Sequence, residues 1–118
     1  MEGLESSVNW LERVKQRFCM ETYHIKDKKY QIRANAYQTT GNVALQLFED
    51  GEPYASITVN IGKLPDGQFL ADVNNFWEVE EFLRKFEIAE PMYKWIESGF
   101  CRYPVYRLNR RFTDVRNS

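Results

Sequence analysis

Long apolar runs are missing from this chain of 118 residues. No stretch of eighteen or more apolar residues occurs, so no membrane-spanning helix is expected. The start, Met1-Glu2-Gly3-Leu4-Glu5, is acidic and has no apolar core of a signal peptide, and a cytoplasmic setting is expected. Thiol and imidazole ligands are scarce: Cys19, Cys101 and His24 are the whole supply. That inventory excludes zinc fingers, disulfide scaffolds and multi-histidine metal centres, and neither a metal nor a cofactor is expected. Glycine is thin as well, with 6 residues, and Gly41, Gly51 and Gly62 each stand alone. No glycine-rich phosphate loop can be built from them. Repeats, low-complexity tracts and linker-like stretches are also absent.

Aromatics are abundant: 8 Phe, 7 Tyr and 3 Trp in a chain that is 43% hydrophobic. A chain of this size and composition can bury one core, so a single domain over 1–118 is expected, with 110–118 a polar C-terminal tail. The net charge is −1 but it is unevenly spread. Residues 1–42 carry 7 basic and 5 acidic residues, residues 43–90 carry 3 basic and 10 acidic, and residues 91–118 carry 6 basic and 2 acidic. The middle segment therefore has a balance of −7 between two basic flanks.

The periodicity predicts an α+β fold. Leu4, Val8, Leu11, Val14 and Phe18 recur at helical spacing, with Ser6 or Ser7 as the cap, so a first helix is expected to end near Met20. Strands are predicted over 21–26 and 29–37, around an Asp27-Lys28 turn. Val43, Leu45 and Leu47 share one face of a third strand. Asp50-Gly51 is the strongest hairpin signal, because both central residues of a type I′ turn need positive φ. The returning strand alternates Ala55, Ile57, Val59 and Ile61 inward against Tyr54, Ser56, Thr58 and Asn60. Pro65-Asp66-Gly67 is a further turn, followed by a strand over 69–73.

A second helix is expected to start at Asn75, with Glu78 completing a capping box. It would bury Phe76, Val79, Leu83 and Phe86, with Phe82 beside them, and carry the i,i+4 pairs Glu80–Arg84 and Glu81–Lys85. A last hairpin turns near Ser98-Gly99, and its second strand carries Pro104, which favours a sheet edge or a bulge. The expectation is one mainly antiparallel sheet of five to seven strands, with two helices packed on it.

Catalytic constellations are weak. A Cys19/His24 dyad would straddle a helix-to-strand junction with no third orienting group, and a lone histidine is more often structural. The carboxylates Asp72, Glu78, Glu80 and Glu81 cluster near the second helix without a partner base or nucleophile. An enzyme working through Cys19, Cys101 or these acids ranks last, and a non-enzymatic protein is expected.

Binding has better candidates. The C-terminal strand interleaves Arg102, Tyr103, Tyr106, Arg107, Arg110 and Arg111. Tyr and Arg are interface residues, and the same mixture can pair phosphates and stack bases. The bland alternative is that the tyrosines pack on the second helix and the arginines keep an edge soluble. The acidic alternative is a surface built from Glu49, Asp50, Glu52, Asp72, Glu80 and Glu81, which would imitate the phosphate charge of a nucleic acid.

Three stretches carry a family resemblance. They are Gly51-Glu52-Pro53-Tyr54-Ala55-Ser56-Ile57-Thr58-Val59-Asn60; then Asp72-Val73-Asn74-Asn75-Phe76 running on through Glu80-Glu81-Phe82-Leu83 to Ala89-Glu90-Pro91; and Ser98-Gly99-Phe100-Cys101-Arg102-Tyr103-Pro104-Val105-Tyr106. Over 51–109 the chain resembles a family of small bacterial proteins classed as a domain of unknown function and typical of phages, plasmids and conjugative elements. The resemblance implies no catalytic residues. It implies an accessory protein that binds and inhibits a partner protein, such as a host-defence nuclease complex of CRISPR or restriction type. The alternative is a nucleic-acid-binding regulator that uses the Arg/Tyr strand.

Overall fold

The second and third strands follow directly from alternation. A computed structural model describes residues 22–25, 27–76 and 78–109. The first helix expected from the sequence, Cys19, and the tail with Arg110 and Arg111 lie outside these residues. Strand β1 (Thr22–Ile25) pairs antiparallel with β2 (Lys28–Ala36), β2 with β3 (Val43–Glu49), and β3 with β4 (Glu52–Ser56). Ile32, Ala34, Val43, Leu45 and Leu47 are buried on one face, as a period of two requires. Asp50 (φ 50) and Gly51 (φ 89) close the β3–β4 hairpin with two positive φ values, as predicted.

The predicted single returning strand is corrected. At Leu47/Phe48 the register shifts, pairing Phe48 with Pro53 and Leu47 with Ala55, so Tyr54 is an extra residue. The chain then leaves the first sheet at Ile57. The Ile57 N–H donates to the Leu45 carbonyl (3.0 Å), while its own carbonyl accepts from the Asp72 N–H (3.0 Å). Beyond it, β5 (Thr58–Val59) belongs to a second sheet. Thr58 is buried and Ile61 is exposed, the reverse of the alternation read from the sequence. Among the described residues there are thus two four-stranded sheets, ordered β1-β2-β3-β4 and β5-β6-β8-β7, where one sheet of five to seven strands was expected.

The second sheet comprises β5, β6 (Gln68–Ala71), β7 (Ala89–Ser98) and β8 (Cys101–Leu108), all antiparallel. Its entry is the predicted turn: the Gln68 N–H donates to the Pro65 carbonyl at 3.1 Å. β8 is an interior strand between β6 and β7, so the expected edge position of Pro104 is corrected and the edge belongs to β7. The proline still falls where its missing donor is harmless. The β6 ladder ends at Leu70↔Val105, one residue short of Pro104.

Among the described residues one α-helix, α1 (Val79–Lys85), joins β6 to β7. It starts later than expected. Asp72 takes up Asn75, whose backbone N–H donates to Asp72 Oδ1 (3.2 Å) and whose Nδ2 donates to Oδ2 (3.0 Å). That Asx-type bend competes with capping, and Glu78 becomes an N-cap without a side-chain bond. The predicted apolar face holds: Val79, Phe82 and Leu83 are buried, with Phe76 and Phe86 packed against the core. Tyr23 meets the Phe82 ring at 5.9 Å and the Phe86 ring at 4.9 Å, so the helix lies against the first sheet through aromatic edges. Phe69, Ala71, Tyr106 and Leu108 bring the second sheet into the same core.

Candidate interaction surface

The β7–β8 hairpin is a ribbon that outruns its sheet. β6 pairs only Val105, Tyr106 and Arg107 of β8, whereas β7 continues pairing out to Ser98↔Cys101. The loop is Gly99-Phe100, with Gly99 at φ 62 in the first loop position, where glycine meets no steric cost. At the ribbon's base the register jumps from Pro91↔Tyr106 to Trp95↔Pro104. Met92, Tyr93 and Lys94 therefore face a single partner residue, and the bulge holds Tyr93 at φ 59, a conformation that costs a bulky residue energy.

This bulge and loop put three aromatics into water. Tyr93 is 80% exposed, Trp95 49% and Phe100 109%. The Arg102 guanidinium lies 5.0 Å from the Trp95 ring centre, in cation–π geometry. Its cross-strand neighbour Glu97 forms no ion pair with it among the described residues. On the other ribbon face, Tyr103 is half-buried beside Cys101, and their hydrogen bond is the main cause that pushes the Tyr103 hydroxyl above its usual range. Cys101 is a free thiol.

The sequence-derived candidates divide sharply. Arg102 is exposed on the ribbon. Tyr106 is fully buried, and its hydroxyl donates to Glu80 Oε1 at 2.6 Å, which ties the second sheet to α1. Burial first, then this bond, pushes the Tyr106 hydroxyl far up. Arg107 pairs with its cross-strand neighbour Glu90, its Nε donating at 3.1 Å. For Tyr106 the packing alternative describes what is found, while Arg107 is paired across the ladder of an interior strand and guards no edge.

The acidic candidates differ in how far the fold engages them. Glu49 bridges to Lys28 (3.3 Å) and accepts the Tyr30 hydroxyl (3.1 Å). Asp50, in the β3–β4 turn, accepts the N–H of Lys29 on the neighbouring β2 at 3.2 Å. Asp72 is buried in its bend, while Glu52 on β4 and Glu81 on α1 are exposed. Neither Glu80–Arg84 nor Glu81–Lys85 closes as an ion pair among the described residues. No group of three or more His, Cys, Asp or Glu suited to a metal ion occurs among the described residues. His24 is exposed on β1.

Sequence reasoning passed over Tyr93, Trp95 and Phe100. A signal was available in part, because Phe100 follows the turn glycine, where a side chain has little of its own strand to pack on. The bulge that exposes Tyr93 has no such signature.

Fold and surface together define a small α+β protein of two antiparallel sheets with a projecting aromatic ribbon. A family model described as "Domain of unknown function (DUF4313)" matches residues 31–116, and the chain belongs to that family. The match reaches further toward the N-terminus than the motifs over 51–109, and takes in most of β2 and all of β3. No curated protein and no solved structure matches the chain. Among the described residues no helix is long and apolar enough to cross a membrane.

Proposed function

We propose that the protein is a non-enzymatic binding module that grips a partner protein with the β7–β8 ribbon. The observation that carries this reading is the exposure of Tyr93, Trp95 and Phe100 next to Arg102. Aromatics and arginine dominate the energetics of protein interfaces, and three exposed rings on one short hairpin supply such anchors. Inhibition of a host-defence nuclease complex in the cytoplasm is the role we attach to this module, and it rests on the resemblance to proteins of mobile elements.

Charge mimicry draws less support, because Glu49, Glu80 and Glu90 are engaged within the fold and Asp72 is buried. A nucleic-acid role for the Arg/Tyr strand is weakened in the same way by the engagement of Arg107 and the burial of Tyr106.

The test compares wild type with Trp95→Ser/Phe100→Ser in affinity capture from host cells, read by quantitative mass spectrometry. Both changes lie at exposed positions, so the melting temperature should hardly move. A partner retained by wild type and lost by the variant is expected. Equal capture by two equally stable proteins would sink the reading. A gel shift with DNA or RNA at low salt that vanishes in Arg102→Glu would put the nucleic-acid role first.

A further inference from the structure

The outer edge of β7 offers backbone groups as well as rings. Antiparallel pairing alternates between residues that exchange both bonds with their partner and residues whose N–H and C=O point away from it. The two-residue loop makes Ser98↔Cys101 the bonded pair that closes the hairpin. Counting back, Ile96↔Tyr103 is bonded, while Glu97 and Trp95 direct their N–H and C=O groups away from β8. The same alternation turns the Pro104 nitrogen away from β7, in keeping with its place opposite Trp95. Among the described residues β7 ends its sheet, and none of them pairs these outward groups. The bulge blunts the edge through Lys94, which leaves the stretch 95–98 as the usable template.

We propose that this stretch pairs antiparallel with the same stretch of a second copy, forming a two-fold dimer centred on Ile96. In an isologous contact residue i meets j and j meets i. With Ile96 on the axis, Trp95 lies opposite Glu97 of the other copy, and the outward groups of these two residues meet in register to make four backbone hydrogen bonds. Side chains on each face then match. Ile96 meets its own copy, flanked on both sides by Tyr103. On the opposite face the Arg102 guanidinium, held over Trp95, receives the carboxylate of the second copy's Glu97, which has no ion pair within its own chain among the described residues. A foreign strand could use the backbone groups, but this charge and apolar match is supplied by the chain itself. Three paired residues a side fall short of the roughly 800 Å² per partner of a standard interface. The dimer is therefore concentration-dependent.

The dimer rests on the reading of the ribbon as a protein contact, and the purified chain alone tests it. Sedimentation equilibrium across about 1 μM to 1 mM should show monomer and dimer exchanging with concentration. Glu97→Pro removes an outward N–H and leaves the bonds to β8 in place, so dimer should be lost from a protein whose circular dichroism is unchanged. Glu97→Arg and Arg102→Glu should each raise the dissociation constant by about tenfold or more, and the double exchange should restore it. Monomer at every concentration overturns the proposal, as does a dimer indifferent to Glu97→Pro or single charge reversals that the double exchange fails to rescue. If the chain stays monomeric and ribbon-dependent capture of another protein persists, the dimer fails and the binding module stands.

Discussion

Tyr106 works from inside the core and not from an exposed strand face. Its ring is fully buried, stacked 6.2 Å from Phe69, and its hydroxyl reaches Glu80. Tyr106→Phe keeps the ring and removes one hydrogen bond to a carboxylate, so a loss of about 1–3 kcal/mol is expected in chemical denaturation. The pH dependence has a definite sign. The folded state holds the phenolic proton more tightly than the unfolded chain, whose ordinary value is 10.0. Above that pH the unfolded state binds fewer protons than the folded one, so stability falls as pH rises. Tyr30 and Tyr103 are raised too and add to the slope. Tyr106→Phe should therefore flatten the alkaline loss without abolishing it, and equal slopes in the two proteins would count against this account. The sequence could not make the assignment, because Pro104, Val105 and Tyr106 are buried in succession. A strand covered on both faces shows no alternation to read.

At the scale of elements, Thr58 decides where one sheet ends and the next begins. Its hydroxyl oxygen accepts the Leu45 N–H at 3.2 Å and lies 2.8 Å from the Tyr37 hydroxyl, which also reaches the Thr58 carbonyl at 3.2 Å. A side chain thus finishes the ladder that the backbone abandons after Ile57. Thr58→Val preserves the shape but leaves the buried Leu45 N–H unpaired, at a cost of about 1–3 kcal/mol. The check is a lower denaturation midpoint at unchanged slope; a midpoint equal to wild type would remove Thr58 from this role. The Asp50-Gly51 turn was legible because its chemistry is local. The break at Thr58 was not, since the pattern from Ala55 to Ile61 runs on unbroken and only partners distant in sequence stop it. Asn75 illustrates the same limit: it is a good cap by type, yet Asp72 claims it first.

For the whole molecule, strand identity and pairing direction were largely readable, whereas the division into two sheets was not. The candidate surface was half readable: the sequence pointed to the last hairpin and to Arg102, but it favoured tyrosines that turn inward or sit half-covered. The division has a consequence in time. The first sheet is a meander whose neighbours in space are neighbours in sequence. The second needs β6 to find β8 across the helix and β7, bringing Leu70 to Val105. Closing that longer span costs more chain entropy before any contact repays it. The meander is thus the part expected in the folding transition state, with the second sheet docking afterwards. Leu45→Ala should mainly slow refolding, while Val105→Ala should mainly speed unfolding, as read from the two arms of a chevron plot. The reverse partition would place the nucleus in the second sheet. On this order the seam between β6 and β8 closes last and is the first to let go, so a protein that binds β8 only while it is docked would hold the chain where unfolding begins and prolong the life of the folded state.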